Sequence, residues 1–161
     1  MRAQPKIRRR KNKTNYLKRK RLLESAKPRV VIRKSNKYIL IQYVESQVAK
    51  DCVKVSILSK DLLEYGWPKN NEGSLKSLPA AYLSGLLFGE KVKSFKPAIL
   101  DTGLIRSTKG SRIYAALKGI VDSGFKIPHG AEIFPHENRI KNKNVAEFFD
   151  KVKTKIMGAK A

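Results

Sequence analysis

The chain has 161 residues, 41% of them hydrophobic, and a formal net charge of +23. That length holds one domain plus tails, and the apolar fraction, most of it between Val30 and Phe149, suffices for a core. A single cysteine, Cys52, excludes an internal disulfide, and the longest apolar runs, such as Leu86-Leu87-Phe88, are too short to span a bilayer.

The charge is unevenly spread. Sixteen of the 36 Lys and Arg fall in the first 37 residues, against one acid, Glu24, so this stretch carries +15 of the +23. A polycation this dense needs a polyanion to neutralise it, and nucleic acid meets that need because counterions leave phosphate as Lys and Arg replace them. No apolar segment follows these charges as a secretory signal requires. Ile7 is the only large apolar residue between Arg2 and Asn15, too little for an amphipathic mitochondrial presequence. With one cysteine as well, the reducing cytosol is the expected compartment.

Residues 1–13 have no apolar periodicity and read as a disordered basic arm that orders against a partner. Thr14 is placed to cap a helix from Asn15 to about Ala26, thinly apolar at Tyr16, Leu22 and Leu23 and stopped by Pro28. Three strands follow: Arg29–Lys34, then a tight turn at Ser35-Asn36-Lys37, then Tyr38–Val44 and, beyond a polar loop at 46–51, Cys52–Leu58. Val53, Val55 and Ile57 alternate with Lys54 and Ser56, which predicts an antiparallel meander with one buried and one basic face.

Residues 59–76 read as an irregular connection with a short turn at Asp61–Tyr65. Ser77 caps a helix through about Val92, with Leu78, Tyr82, Leu86 and Val92 as its stripe. Gly85 and Gly89 each cost it about 1 kcal/mol relative to Ala, which predicts close approach to a neighbouring backbone. Pro97–Leu100 has the continuous apolar run of a strand buried on both faces, joined by a parallel crossover. Gly110-Ser111 opens a helix carrying Ile113, Ala116, Leu117, Ile120 and Val121 on one face, and Gly124 ends it. Ile127–Arg139 is a loop with both histidines. Asn144, with Glu147 three residues on, caps a last helix striped by Val145, Phe148, Phe149, Val152 and Ile156. The expected organisation is an arm at 1–13, a single α/β domain at 14–157 and a frayed tail at 158–161.

Catalytic readings are weak. Asp101-Thr102-Gly103 matches the aspartic-protease triplet, but helix signals stand where that fold has strands. A nuclease of ribonuclease-H-like architecture needs carboxylates converging on metals about 4 Å apart. Asp101 is a single candidate, and Arg33 and Lys34 at the first strand would repel Mg²⁺. His129 and His136 lack partners in zinc-ligand spacing. Cys52 reads as a half-buried strand thiol, and Gly89-Glu90-Lys91 is no phosphate-binding loop. Trp67, in Tyr65-Gly66-Trp67-Pro68, reads as an anchor for the long connection, with base stacking as the alternative. No catalytic residue, metal, cofactor or small-molecule substrate is expected.

The basic stretch is the better functional signal. It is nearly free of acids, continues into a strand and hairpin that hold Arg29, Arg33, Lys34 and Lys37 at fixed spacing, and contains Asn12, Tyr16, Ser35, Asn36, Tyr38 and Gln42 to read nucleotides. Arg forks phosphate and stacks on bases, which favours structured RNA, and no helix-turn-helix or zinc module argues for DNA. An architectural nucleic-acid-binding protein, one that holds duplex DNA as readily as structured RNA, is the rival reading.

Arg19-Lys20-Arg21-Leu22-Leu23 and KPRVVIRKSNKYI at 27–39 resemble the large-subunit ribosomal protein eighteen family, the 5S ribosomal RNA binders. EYGWP at 64–68, LPAAYLSGLLFG at 78–89, AILDTGL at 98–104, KGSRIYAALKGIVDSG at 109–124 and IPHGAEIFP at 127–135 extend the similarity in order. The arm and later blocks resemble the archaeal and eukaryotic branch. The lack of a long C-terminal extension points to the archaeal side. Departures are Tyr38 where His is frequent, Thr102 for an apolar residue, and Lys141-Asn142-Lys143 without glycine. The resemblance implies a ribonuclease-H-like α/β domain without catalysis. It also implies binding to 5S rRNA and placement in the central protuberance, beside 23S rRNA and neighbouring ribosomal proteins. Carried over by motif, the first RNA-contact candidates are Arg29, Arg33, Lys34, Ser35, Asn36 and Lys37, then Arg8, Arg9, Arg10, Lys11, Lys13, Tyr16, Arg19 and Arg21, with the loop Thr108–Arg112, including Lys109 and Arg112, next. Lys27, Tyr38 and Gln42 complete the expected RNA-binding set.

Overall fold

A computed structural model describes residues 4–47, 50–141 and 145–158. In the arm, α1 (Ile7–Arg10) is one helical turn that buries nothing, where the sequence suggests no structure. The next helix, α2, runs Tyr16–Glu24 and is capped by Asn15, whose side chain accepts from the Lys18 amide at 3.2 Å. Thr14, the expected cap, instead accepts from Arg8 Nε at 3.0 Å. Ala26, at φ 51°, turns the chain toward Pro28 and the sheet.

Four strands form one mixed sheet in the order β3-β2-β1-β4: β1 (Arg29–Lys34), β2 (Ile39–Gln47), β3 (Lys50–Leu58) and β4 (Ile99–Asp101). The first three make the expected antiparallel meander, and β4 pairs parallel to β1. Two boundaries move. The 46–51 loop shrinks because β2 extends to Gln47 and β3 starts at Lys50. β4 is an edge strand, so Ile99 and Leu100 are only half-buried, not covered on both faces.

Val30, Ile32, Ile41, Tyr43 and Ile57 fill the core side of the sheet at 0–1% exposure. The even alternation expected of β3 breaks at a register shift beside Tyr43 and Val44. Tyr43 pairs with Val55, but Val44 pairs with Val53. Cross-strand partners share a face, and a bulge switches the face presented beyond it. Val53 therefore joins Val44 and Arg29 on the face away from the core and is 48% exposed, while Cys52 is exposed rather than half-buried.

Over the core face lie α3 (Leu78–Val92) and α4 (Arg112–Asp122). Ser77 caps α3 as expected, its side chain accepting from the Ala80 amide. The expected stripe of α3 becomes burial on all sides, because α4, β2, β3, α6 (Ala146–Gly158) and a 3₁₀ turn at Ser59–Leu63 surround it. The close approach predicted from its glycines is present. A β-carbon at Gly85 would overlap the Ala116 carbonyl, and one at Gly89 would overlap the Ser123 hydroxyl. Gly119 of α4 meets the Tyr82 carbonyl in the same way, a contact that the glycines of α3 alone do not announce. The Tyr82 hydroxyl donates to Asp122 at 2.9 Å across this crossing. Burial, then that carboxylate, pushes the phenol well above its ordinary range.

The connection at 59–76 is more ordered than its sequence suggests, with a second 3₁₀ segment at Lys69–Ser74. Trp67 anchors it at 2% exposure. The indole donates to the Asn71 carbonyl at 3.0 Å and meets Phe148 edge-on at 5.0 Å, so the ring is not offered to a base. The Ile127–Arg139 segment contains a 3₁₀ turn at Ala131–Ile133, and α5 (Glu137–Ile140) forms at its end. Phe149, Val152 and Ile156 of α6 dock as the stripe predicts. The capping expected of Asn144, the Lys141-Asn142-Lys143 departure beyond Lys141 and the tail after Gly158 lie outside the described residues.

Candidate nucleic-acid interface

Opposite the core, α2 crosses the second face of the sheet and is pinned at both edges. Lys18 Nζ donates to Thr102 Oγ1 at 3.2 Å and to the Gly103 carbonyl at 3.0 Å, just beyond β4. Arg19 pairs with Asp51, on β3, at 2.9 Å. Between helix and sheet runs a cleft of about 410 Å³. Arg8, Lys13, Lys18, Arg19, Arg29, Arg33 and Lys34 line it, with Asp101 as the one acid among its described lining residues. A groove walled by one sign of charge concentrates the opposite charge.

The cleft's floor is an ion cluster. Arg29 Nη2 reaches Asp51 at 2.7 Å and the Ser46 hydroxyl at 2.9 Å, and Arg29 Nη1 reaches Asp101 at 3.4 Å. Burial pulls the Asp51 carboxyl upward, but the Ser46 hydroxyl and the guanidinium groups of Arg29 and Arg19 outweigh it. They hold that carboxyl below its ordinary value. Asp101 Oδ2 also takes Arg33 Nη2 at 3.3 Å, and Oδ1 accepts from the Gly103 amide at 2.7 Å. Gly103, at φ 62°, packs against the Arg33 guanidinium, and a β-carbon there would sit 2.9 Å from its central carbon. The Asp-Thr-Gly sequence is thus a turn whose carboxylate is already committed to two arginines.

Arg29 is the clear correction among the predicted contacts. Its side chain is 3% exposed, with both terminal nitrogens held by Asp51, Ser46 and Asp101 and Nε buried without a partner, so it braces the sheet from inside instead of standing free at the surface. Ser35 is also committed, because its hydroxyl accepts from the Tyr38 amide at 2.8 Å and donates to the Tyr38 carbonyl at 2.9 Å, closing the β1–β2 turn. The Tyr38 hydroxyl bonds Glu72 at 3.2 Å, and Gln42 bonds Ser56 at 3.3 Å.

The other predicted residues are placed at the surface. Lys34, Asn36 and Lys37 are exposed on the hairpin, and Arg21 and Lys27 are exposed on and after α2. Arg8, Arg9, Arg10, Lys11 and Lys13 are exposed in the arm. Tyr16 is half-buried, with the Lys6 ammonium 4.9 Å from its ring centre. Arg33 is half-exposed and hydrogen-bonds the Asp101 carbonyl at 2.7 Å. Lys109 and Arg112 stand apart from this cleft. Lys109 pairs with Glu132 at 3.0 Å, and Arg112 lines a second basic cleft with Lys34, Arg106 and Arg139. Lys18, Arg106 and Arg139 lie outside the predicted set. The acid-poor first 37 residues signal Lys18, whereas only folding joins Arg106 to Arg139.

Among the described residues no cluster of three or more His, Cys, Asp or Glu could hold a metal. His129 Nδ1 is engaged with the Ile127 carbonyl at 2.7 Å, and its ring packs on Phe134. No helix of the described residues is long and apolar enough to cross a membrane.

Comparison with known proteins gives the same direction. A chain from Korarchaeum cryptofilum named large ribosomal subunit protein uL18 is 48% identical over 147 residues, covering 90% of this chain and 73% of that protein. Proteins of the same name from Methanococcoides burtonii and Aeropyrum pernix are 44% and 40% identical. They cover 93% and 92% of this chain, and 91% and 69% of their own lengths. The family model described as ribosomal large subunit proteins 60S L5 and 50S L18 matches residues 1–97 and 89–130. With a basic cleft where the arm, α2 and the first hairpin meet, and with that match across most of its length, the chain belongs to this family of large-subunit ribosomal proteins, which are structural and not enzymes.

Proposed function

We propose that the chain is a structural component of the large subunit of the cytoplasmic ribosome that binds 5S rRNA and helps attach it to 23S rRNA in the central protuberance, beside neighbouring ribosomal proteins. The observation that carries the reading is the cleft between α2 and the sheet, where cations from the arm, helix and hairpin converge. Phosphate neutralisation there supplies most of the affinity. The rigid hairpin fixes register, so RNA shape is recognised more than base sequence. The arm at 1–13 orders fully against RNA, which costs entropy but covers more surface. The strand order, three antiparallel strands followed by a parallel fourth, supports the ribonuclease-H-like likeness of the fold.

The test is a salt-titrated binding assay with 5S RNA against duplex DNA of equal charge. A preference for the RNA that survives moderate salt is expected. Equal binding to both that vanishes together as salt rises would leave only an architectural polycation.

A further inference from the structure

On a surface that binds a polyanion, acids oppose binding by simple Coulomb repulsion. Two acids nevertheless sit at the base of this interface, and their geometry is specific. Asp51 gives Oδ1 to Arg29 at 2.7 Å and Oδ2 to Arg19 at 2.9 Å. Asp101 meets Arg29 at 3.4 Å and Arg33 at 3.3 Å. Arg29 is 3% exposed, so each carboxylate is braced from below, while Arg19 and Arg33 are each 39% exposed. Asp51 shares a face with Arg29 because of the bulge beside Val44, beyond which Asp51 pairs with Ser46. Both outer arginines line the cleft.

We propose that Asp51 and Asp101 are positioning residues of the RNA interface: braced by buried Arg29, they hold Arg19 and Arg33 at fixed spacing. RNA binding, the reading on which this rests, therefore depends on two acids that RNA itself repels. A guanidinium has five N–H donors in a rigid fork, so engaging a carboxylate leaves donors for phosphate. A side chain already ordered loses less freedom on binding than one swinging in water. The Lys18 contacts beyond β4 fix the same helix, so the spacing of Arg19 and Arg33 is set from both ends of the cleft.

The experiment compares the full chain with Asp51→Asn, Arg19→Ala and the double variant. It reads the dissociation constant for 5S RNA and the thermal midpoint. Asp51→Asn is expected to weaken binding by about tenfold although it removes a negative charge, a coupling typical of contacting residues. In the Arg19→Ala background the same change is expected to add no further loss. Asp51→Glu is expected to restore part of the affinity. Tighter or unchanged binding by Asp51→Asn overturns the proposal, as does an equal loss in both backgrounds, which would mark general damage to the fold. Asp101→Asn with Arg33→Ala forms a parallel cycle. If Asp101→Asn unfolds, the Asp51 cycle decides alone. A wild-type chain that does not prefer 5S RNA to duplex DNA overturns the proposed function instead. The cycle is then read on the duplex that the chain does bind.

Discussion

Arg29 Nη2 lies 2.7 Å from Asp51 Oδ1, and the arginine side chain is 3% exposed. A cation from the most basic part of the chain has thus become part of the interior. Removing one partner of a buried ion cluster strands the others, at a cost of about 3–5 kcal/mol. Arg29→Met leaves Asp51 and Asp101 without their shared cation. Chemical unfolding should show a loss of about that size, and a loss under about 1 kcal/mol would contradict a structural role.

The same cluster sets an acid sensitivity. The folded-state pKa of Asp51 is held below its ordinary 3.8 because hydrogen bonds and ion pairs outweigh burial. A depressed carboxylate contributes stability that is present above the unfolded value and is lost as pH falls through the folded one. Urea midpoints of the wild type and Asp51→Asn should therefore differ most near neutral pH and converge as pH drops below about 4. A constant gap across that range would remove Asp51 from the acid response.

Gly119 of α4 rests on the Tyr82 carbonyl and the Leu86 amide of α3, both backbone atoms that cannot swing aside. Gly119→Ala should raise intrinsic helix propensity yet destabilise the protein by at least about 1–3 kcal/mol, because the helices must separate. Thermal unfolding measures it. A rise in the midpoint would show that the crossing has slack.

Lys34 is exposed, and Arg33 is half-exposed against Asp101. Replacing both with Ala should cost about 1–3 kcal/mol of RNA affinity through lost charge-assisted bonds. An unchanged dissociation constant would take the hairpin out of the interface.

In the arm, α1 buries nothing, and Arg8 holds the body through a bond to Thr14. Deleting residues 1–13 should weaken RNA binding by orders of magnitude and flatten its salt dependence. The thermal midpoint should hardly move. A collapse of the melting curve would make the arm structural and dissolve the division between arm and domain.

Much of the fold was legible locally. Ser77 before a helix, Gly124 after one and β-branched residues at Val30, Val31 and Ile32 act through their own backbone neighbourhoods, and each appears where its sequence places it. The acid-poor start likewise announced a basic surface, because charge density survives any folding. What misled was residue type read without its partners. Thr14 and Asn15 are both competent caps, and the bond from Arg8 to Thr14 accompanies the choice of Asn15.

Arg29 marks the boundary most sharply. Its sequence neighbours are those of an exposed RNA-binding cation, so the sequence by itself determined only that a charge stands at the start of β1. Its burial depends on Asp51 and Asp101, respectively 22 and 72 residues away. Asp51 arrives on the same face through a bulge that strict alternation of Val53, Val55 and Ile57 does not foresee. Local propensity, charge density and capping are properties of neighbouring residues, so the chain alone set them. Desolvation and ion pairing depend on which distant groups meet, and only the packed sheet with α2 across it decided which arginines stay exposed along the cleft and which are buried among acids.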